Sequence, residues 1–347
     1  MRCSYLYYLI SIFTFINRLY ASDGVVLDFR ATTPQANTVI SSLQDVERLI
    51  DRARKHGIGH FTIPILMCQT TTKSETLHWC NQTSEENYLK IIEQLTNAIH
   101  TRGGTVGYMA FNKLERGGVW RGIFNPRNRA RWVENSERLF LPVLQLARRL
   151  NVREVAIGSE LNVLFRETTA WRAYLQRAKR FLGERTHVFV VLGWDAITNH
   201  PLFQYSDYIA ISAYYPLTQA TQPTDANHTP PTIDAMVAGW QQWKDQLIQL
   251  SRSINRPLYL YEIGYPSHSM GASRPWEWDG PIDLNLQQNL FIAFKRVWLE
   301  PRVRELGYFQ IWNWEANTSH NNPRHSPVGK PAESQMRALF QNNTRPE

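Results

Sequence analysis

The sequence predicts an α/β protein in which eight strands alternate with helices and close as a single-domain (β/α)8, or TIM, barrel. Three observations carry that expectation. Short apolar runs rich in Val, Ile and aromatic residues alternate with longer stretches whose apolar residues recur at helical spacing. The alternation runs without an evident linker through 347 residues, a length that one barrel with insertions fills. The GxGxxG loop that a doubly wound nucleotide-binding sheet more often carries is absent.

VVLDF at 25–29 is a short buried strand and the first element. The helical stretch 41–57 places Leu43, Val46, Leu49, Ile50 and Ala53 on one face and ends at Gly57. HFTIPILM at 60–67 is the second strand, and Ser84 is a candidate N-cap for the helix behind it. TVGYMAF at 105–111 is the third, followed by a long loop and a helix from about Arg127 to Leu150. EVAIGSEL at 154–161 is the fourth, with a helix near 168–183. HVFVVLGW at 187–194 and DYIAISAYY at 207–215 are the fifth and sixth, joined through a short helical turn. A Pro/Thr-rich loop from Pro216 to Thr232 leads to a helix at 233–253. LYLYEIGYPS at 258–267 carries the seventh strand, and a loop with Trp276 and Trp278 precedes the next helix. GYFQIWNWE at 307–315 is the eighth, before a last helix from Ala332 to Phe340.

Two carboxylates stand out on this frame. Glu160 ends the fourth strand and Glu262 the seventh, the C-terminal positions from which this barrel presents catalytic groups. Paired carboxylates are the parts of glycoside hydrolysis: one protonates the leaving oxygen, the other attacks or activates water. Either glutamate alone reads equally well as a salt-bridge partner; the pair at matching positions points to chemistry. Strict alternation puts Glu160 on the inner face with Ala156 and Gly158, and Val155 and Ile157 toward the helices. The same rule turns Tyr259 and Tyr261 outward.

Six pieces in one order, GGVWRGIFNP (117–126), AIGSEL (156–161), GWDAI (193–197), DYIAISAYYPL (207–217), YEIGYPS (261–267) and SPVGKPAE (326–333), resemble the retaining glycosidases of clan A, most nearly glycoside hydrolase family 113. The resemblance covers nearly the whole chain after residue 21. It implies a retaining hydrolase of a β-linked polysaccharide, β-mannan first, needing no cofactor. Carried over position by position, it implies Glu160 as acid/base, Glu262 as nucleophile and Tyr214 as the group that orients the nucleophile. Trp312 or Trp314 would floor the reacting sugar, and Trp120, Arg121, Trp194 and Asp195 would line the subsites. The chain departs from the family pattern at Ala110-Phe111-Asn112, where a Lys-Pro-His type sequence is expected, and at Ser212, where an Asp is expected; Asn112 and Ser212 thus stand at substrate-contact positions. An amino-sugar polymer such as peptidoglycan or chitosan is the alternative substrate, and a catalytically silent glycan-binding barrel the alternative function.

Residues 1–21 read as a secretory signal: Arg2 precedes an apolar run from Tyr5 to Ile16, too short to span a bilayer, and Ala21 is a small residue at a cleavage position. An uncleaved anchor is the alternative. Cleavage leaves residues 22–347 as the catalytic domain, secreted or periplasmic, without stable membrane insertion. Cys68 and Cys80 would then be the only cysteines, and in an exported chain they suggest a disulfide; two free thiols are the other reading. Neither CxxC nor HExxH occurs, so no metal is expected. The 12 Trp, 15 Tyr and 15 Phe serve packing or sugar platforms, with Trp276 and Trp278 assigned to loop packing. His78, His228, His268, His320 and His325 read as surface residues, and a monomer is expected. The net charge of +8 favours anionic partners such as acidic glycans or a cell surface. With no basic run or nucleic-acid motif, it reads as a diffuse bias, and nucleic acid is not an expected partner.

Overall fold

A computed structural model describes residues 23–28, 43–80, 84–196, 199–219, 230–315 and 321–341. The expected signal segment, four Asn-x-Ser/Thr sequons that begin at Asn81, Asn227, Asn317 and Asn342, and His228 and His320 lie outside them. Nine strands are described: β1 Gly24–Asp28, β2 His60–Gln69, β3 His78–Trp79, β4 Thr105–Leu114, β5 Glu154–Ser159, β6 His187–Gly193, β7 Ile209–Ser212, β8 Leu258–Ile263 and β9 Leu306–Glu315. Eight are parallel and close into a barrel in the order β1, β9, β8, β7, β6, β5, β4, β2, with β1 paired back onto β2. The short β3 is extra: it pairs antiparallel with the end of β2, where the Cys68–Cys80 disulfide staples the intervening loop. The fourth and seventh barrel strands are therefore β5 and β8.

Seven helices are described: α1 Leu43–Lys55, α2 Glu85–His100, α3 Arg129–Arg149, α4 Thr168–Leu182, α5 Ile233–Ile254, α6 Leu284–Phe294 and α7 Glu333–Phe340. None of them is long and apolar enough to cross a membrane. Their starts follow local chemistry. Ser84 accepts from the Asn87 N–H, and Asn128, Thr232 and Asp283 cap α3, α5 and α6 in the same way. In α1, Val46, Leu49, Ile50 and Ala53 are buried as the spacing predicts, each of the larger three contributing about 1.5–3 kcal/mol. Leu43, assigned to that face, is 39% exposed because it lies in the first turn, beyond the packed stripe.

Two apolar layers result. The outer one, between strands and helices, takes Val155, Ile157, Ile211, Leu260 and Trp314. The inner one fills the barrel with Val26, Met109, Ala156, Phe189, Tyr208, Tyr259, Tyr261 and Trp312, so the barrel is a packed core. At its lower end the buried Glu154 carboxylate accepts hydrogen bonds from Tyr259 Oη at 3.0 Å and Gln310 Nε2 at 2.9 Å, with His60 Nε2 3.2 Å away.

Strict alternation fails at the two strands that matter most. The β5–β6 register shifts between Ala156 and Ser159, so Ser159 turns inward. A Cβ on Gly158 would meet the outer-layer Trp171 instead of the barrel interior. Around β8 the register shifts against β7 beside Ser212 and against β9 between Leu260 and Ile263. Tyr259 and Tyr261 face the interior, not the helices, alternating with the outward Leu258 and Leu260, and the irregularity beyond Leu260 lets the adjacent Glu262 face inward as well. A bulge inserts a residue on one strand and re-aims the side chains beyond it.

Candidate active site

Glu160 comes directly after β5 with φ +52°, a left-handed conformation that costs a non-glycine residue roughly 1–3 kcal/mol. Its N–H donates to the Val191 carbonyl at 2.8 Å, tying the turn to β6 and lifting the carboxylate to the barrel mouth. Two donors meet it there: Trp120 Nε1 at 3.0 Å and Arg121 Nη2 at 2.9 Å, both on Oε2. Arg121 is itself buried. Its Nε donates to the Ser159 carbonyl at 2.9 Å, and its guanidinium lies 3.9 Å over the Phe111 ring. Phe111 in turn stacks on Trp312 at 5.7 Å.

Glu262, on β8, is 1% exposed. Tyr214 Oη donates to its Oε2 at 3.1 Å, Ser159 Oγ to its Oε1 at 3.3 Å, and Arg121 Nη2 lies 3.8 Å from that second oxygen. Burial, joined by the neighbouring Glu160 charge, pushes the Glu262 carboxyl up to about 7, outweighing Arg121 and the two hydrogen bonds. Burial and the same two carboxylates push the Tyr214 phenol well above its ordinary value, so it remains a donor. Gly264 makes room for this contact: a Cβ there would stand 2.5 Å from Tyr214 Cε1.

The walls are aromatic. Trp194 stacks on Trp276 at 5.3 Å, and Trp120, Trp276 and Trp278 are each more than 40% exposed. Trp276 and Trp278 therefore do not simply pack their loop. Asp195 sits at the rim, accepting from Asn162 Nδ2 at 3.1 Å. Ser212 faces the interior, its Oγ buried without a hydrogen-bond partner among the described residues.

Two expected site residues are not brought in. Asn112 falls with Tyr108 and Ala110 on the outer face of the regularly paired β4, buried and away from the mouth, and Phe111 faces the site in its place. Trp314 also points outward, its Nε1 donating to the Leu49 carbonyl at 3.1 Å, so only Trp312 is placed to floor a sugar. His268 and His325 are buried, not surface residues. Burial holds His325 down at about 3; as a neutral ring it donates from Nε2 to the Pro275 carbonyl at 2.7 Å and sets its edge against Tyr214. His78 is partly exposed and lies 2.6 Å from Glu115. Lys330, within the SPVGKPAE piece, is buried and donates to Ser267 Oγ and the Arg324 carbonyl, binding two loops of the mouth together.

Ser159, Phe111 and His325 escape sequence reasoning. Phe111 was legible, since it alternates with Met109. Ser159 was not, because only the β5 bulge turns it inward. His325 is brought to Tyr214 by a loop whose course no periodicity reports.

Among curated proteins, none matches the sequence. Solved structures do match in fold. A β-1,4-mannanase of family 113, determined as a complex, shares 18% identity over 92% of this chain and 99% of its own, with TM-score 0.75. The family 113 β-mannanase AaManA from Alicyclobacillus acidocaldarius shares 16% over 92% and 98%, also at 0.75. A family 5 subfamily 18 protein from Streptomyces cattleya, in complex with Manβ1-4GlcNAc, shares 13% over 94% and 82%, at 0.60. At these identities the likeness establishes the barrel. The family model for glycoside hydrolase family 113 matches residues 40–327, most of the chain and both strand-end glutamates, and the chain belongs to that family.

Proposed function

We propose that this glycoside hydrolase is an exported, retaining enzyme acting on β-mannan, with Glu160 as general acid/base, Glu262 as nucleophile and Tyr214 orienting Glu262. The observation that carries the reading is Arg121, one of whose nitrogens lies 2.9 Å from a Glu160 oxygen and 3.8 Å from a Glu262 oxygen. Those oxygens can be no farther apart than the two lengths end to end. That limit is only just inside the roughly 6.5–9.5 Å of inverting pairs and accommodates the roughly 5–5.5 Å of retaining ones. The structurally similar family 113 proteins described as β-mannanases support the choice of sugar.

The chemistry follows from the environments. Trp120 and Arg121 both donate to Glu160, while below about pH 7 the deeper Glu262 carboxyl holds a proton. Bond cleavage needs the reverse. A sugar seated on Trp312 between the carboxylates displaces the donors on Glu160, and the proton passes to Glu160. Glu262, ionised, keeps Tyr214, Ser159 and Arg121 as stabilising partners. Glu262 then attacks the anomeric carbon while Glu160 protonates the leaving oxygen; water, deprotonated by Glu160, hydrolyses the glycosyl ester. Trp120, Trp194 and Asp195 line the flanking subsites, and the exposed Trp276 extends the Trp194 platform.

Reducing-end release from mannan, glucomannan, xylan, cellulose, chitosan and peptidoglycan tests the reading. Mannan or glucomannan should be cleaved with retained anomeric configuration, and Glu262→Gln should lower kcat by about 10⁴-fold or more in a normally folded protein. Release from chitosan or peptidoglycan alone would move the assignment to an amino-sugar polymer. Silence on every polymer would favour a glycan-binding barrel.

A further inference from the structure

The positive charge of this protein is not diffuse. Residues 127–185 hold 13 arginines and lysines against 6 glutamates and no aspartate, a net +7 of the total +8; the rest of the chain carries 25 cations against 24 anions. Two of the six glutamates, Glu154 and Glu160, are buried in the barrel and contribute nothing to the outer surface. The segment runs from the start of α3 through β5 to the end of α4, and the two helices are neighbours joined by the Arg177–Glu137 ion pair. Arg138, Arg148, Arg172 and Arg180 on the helices, with Arg127 just before α3 and Arg185 just after α4, are exposed, and none makes an ion pair among the described residues. Only Glu134 and Glu184 stand exposed among them.

Helix α3, with 21 residues, extends the array over about 30 Å. Both helices begin at the catalytic end of the barrel, α3 shortly after the Trp120-Arg121 loop and α4 shortly after Glu160. The cationic face therefore starts at the rim of the candidate cleft and runs down the barrel wall.

We infer that the α3–α4 face is a docking surface for a carboxylated polysaccharide, which holds the enzyme on an acidic glycan matrix while the cleft works on its own substrate. Twelve of the 13 cations are arginine, whose planar fork pairs with carboxylates in a bidentate manner, and a glycan-cleaving enzyme meets its substrate among other glycans. Single-stranded nucleic acid asks for exposed rings on which bases stack; of the aromatic residues of these helices, Trp132, Phe140, Trp171 and Tyr174 are buried, and the half-buried Phe181 packs against the core with the Arg148 guanidinium over its ring. A membrane surface asks for an apolar anchor beside the charge, and on this face only Leu141 is an exposed large apolar residue. The inference does not depend on which sugar the cleft takes.

Affinity electrophoresis of the full mature protein tests it, in native gels containing polygalacturonate or, as the neutral control, galactomannan. The protein should be retarded by polygalacturonate at low salt and released as salt rises between about 0.05 and 0.2 M. Arg127→Gln/Arg138→Gln/Arg180→Gln should weaken retardation about tenfold or more. Lys55→Gln/Lys90→Gln/Arg304→Gln, which removes the same charge from elsewhere, should bind like wild type. Both triple variants should keep wild-type activity on a soluble neutral oligosaccharide. No retardation of the wild type, or equal losses in both triples, would overturn the surface. Preferential binding to duplex DNA or anionic vesicles in competition with polygalacturonate would overturn the choice of partner.

Discussion

Glu262 carries the sharpest consequence of burial. Its carboxyl titrates near 7 in the folded chain and near the ordinary 4.5 when unfolded. Between those values the folded state binds the extra proton, so stability falls as pH rises from about 4.5 to about 7 and stays lower above; below about 4.5 both states are protonated and the effect vanishes. Glu262→Gln removes the buried charge while keeping shape. Its Tm should exceed that of wild type at pH 8, with the advantage shrinking toward pH 4.5; an equal or lower Tm at pH 8 would mean that Arg121, Tyr214 and Ser159 fully offset desolvation. Tyr214→Phe deletes a hydrogen bond that favours the ionised form. It should move the upper limb of the kcat/KM–pH profile to higher pH and lower kcat by about 10²-fold, whereas a merely structural tyrosine would leave the limb in place. Sequence position was enough to single out Glu160 and Glu262, because strand-end placement is local; Tyr214 came only with the family resemblance. Which carboxyl holds the proton depends on neighbours more than a hundred residues away, and no local pattern reports it.

At the scale of elements, the strands were legible and their faces only partly so. Runs of Val, Ile and aromatic residues locate β5 and β8 because buried parallel strands must be apolar on both sides. Counting by twos then fails at the register shifts, which turn Ser159 inward and let Glu262 share the inner side with its neighbour Tyr261. Strand β9 shows the converse: it carries two tryptophans two residues apart, yet Trp312 lies in the inner layer and Trp314 in the outer. Trp312→Ala should cut activity strongly with a modest loss of stability. Trp314→Ala should cost about 3–5 kcal/mol and leave kcat/KM of the folded fraction near wild type. Urea unfolding and steady-state kinetics on the two variants separate these outcomes, and a reversed pattern would make Trp314 the sugar-facing ring. Asn112 illustrates how a motif position misleads when adjacent residues face opposite ways, since the neighbouring Phe111 reaches the mouth.

For the whole molecule, the proposed export joins the segment 1–21 with the Cys68–Cys80 bridge, which closes a loop between β2 and β3 and contributes roughly 2–4 kcal/mol in an oxidising compartment. Intact mass of the protein recovered from the medium or periplasm should show residues 1–21 removed and no thiol reactive on denaturation; a retained N-terminus would favour the anchor reading. The concentration of charge on α3 and α4 was countable in the sequence, but its meaning was not, because only packing shows that the two helices lie side by side with their arginines outward. Alternation and length by themselves determined the barrel and the sites of the two glutamates, since hydrophobic periodicity and strand-end placement are short-range properties of the chain; the cysteine count only suggested the bridge that the structure shows. Tertiary structure alone decided that Arg121 spans both carboxylates, that Ser159 and His325 support them, and that Asn112 and Trp314 turn away. Those outcomes rest on bulges and on contacts between distant segments, which the closure of the barrel brings into register.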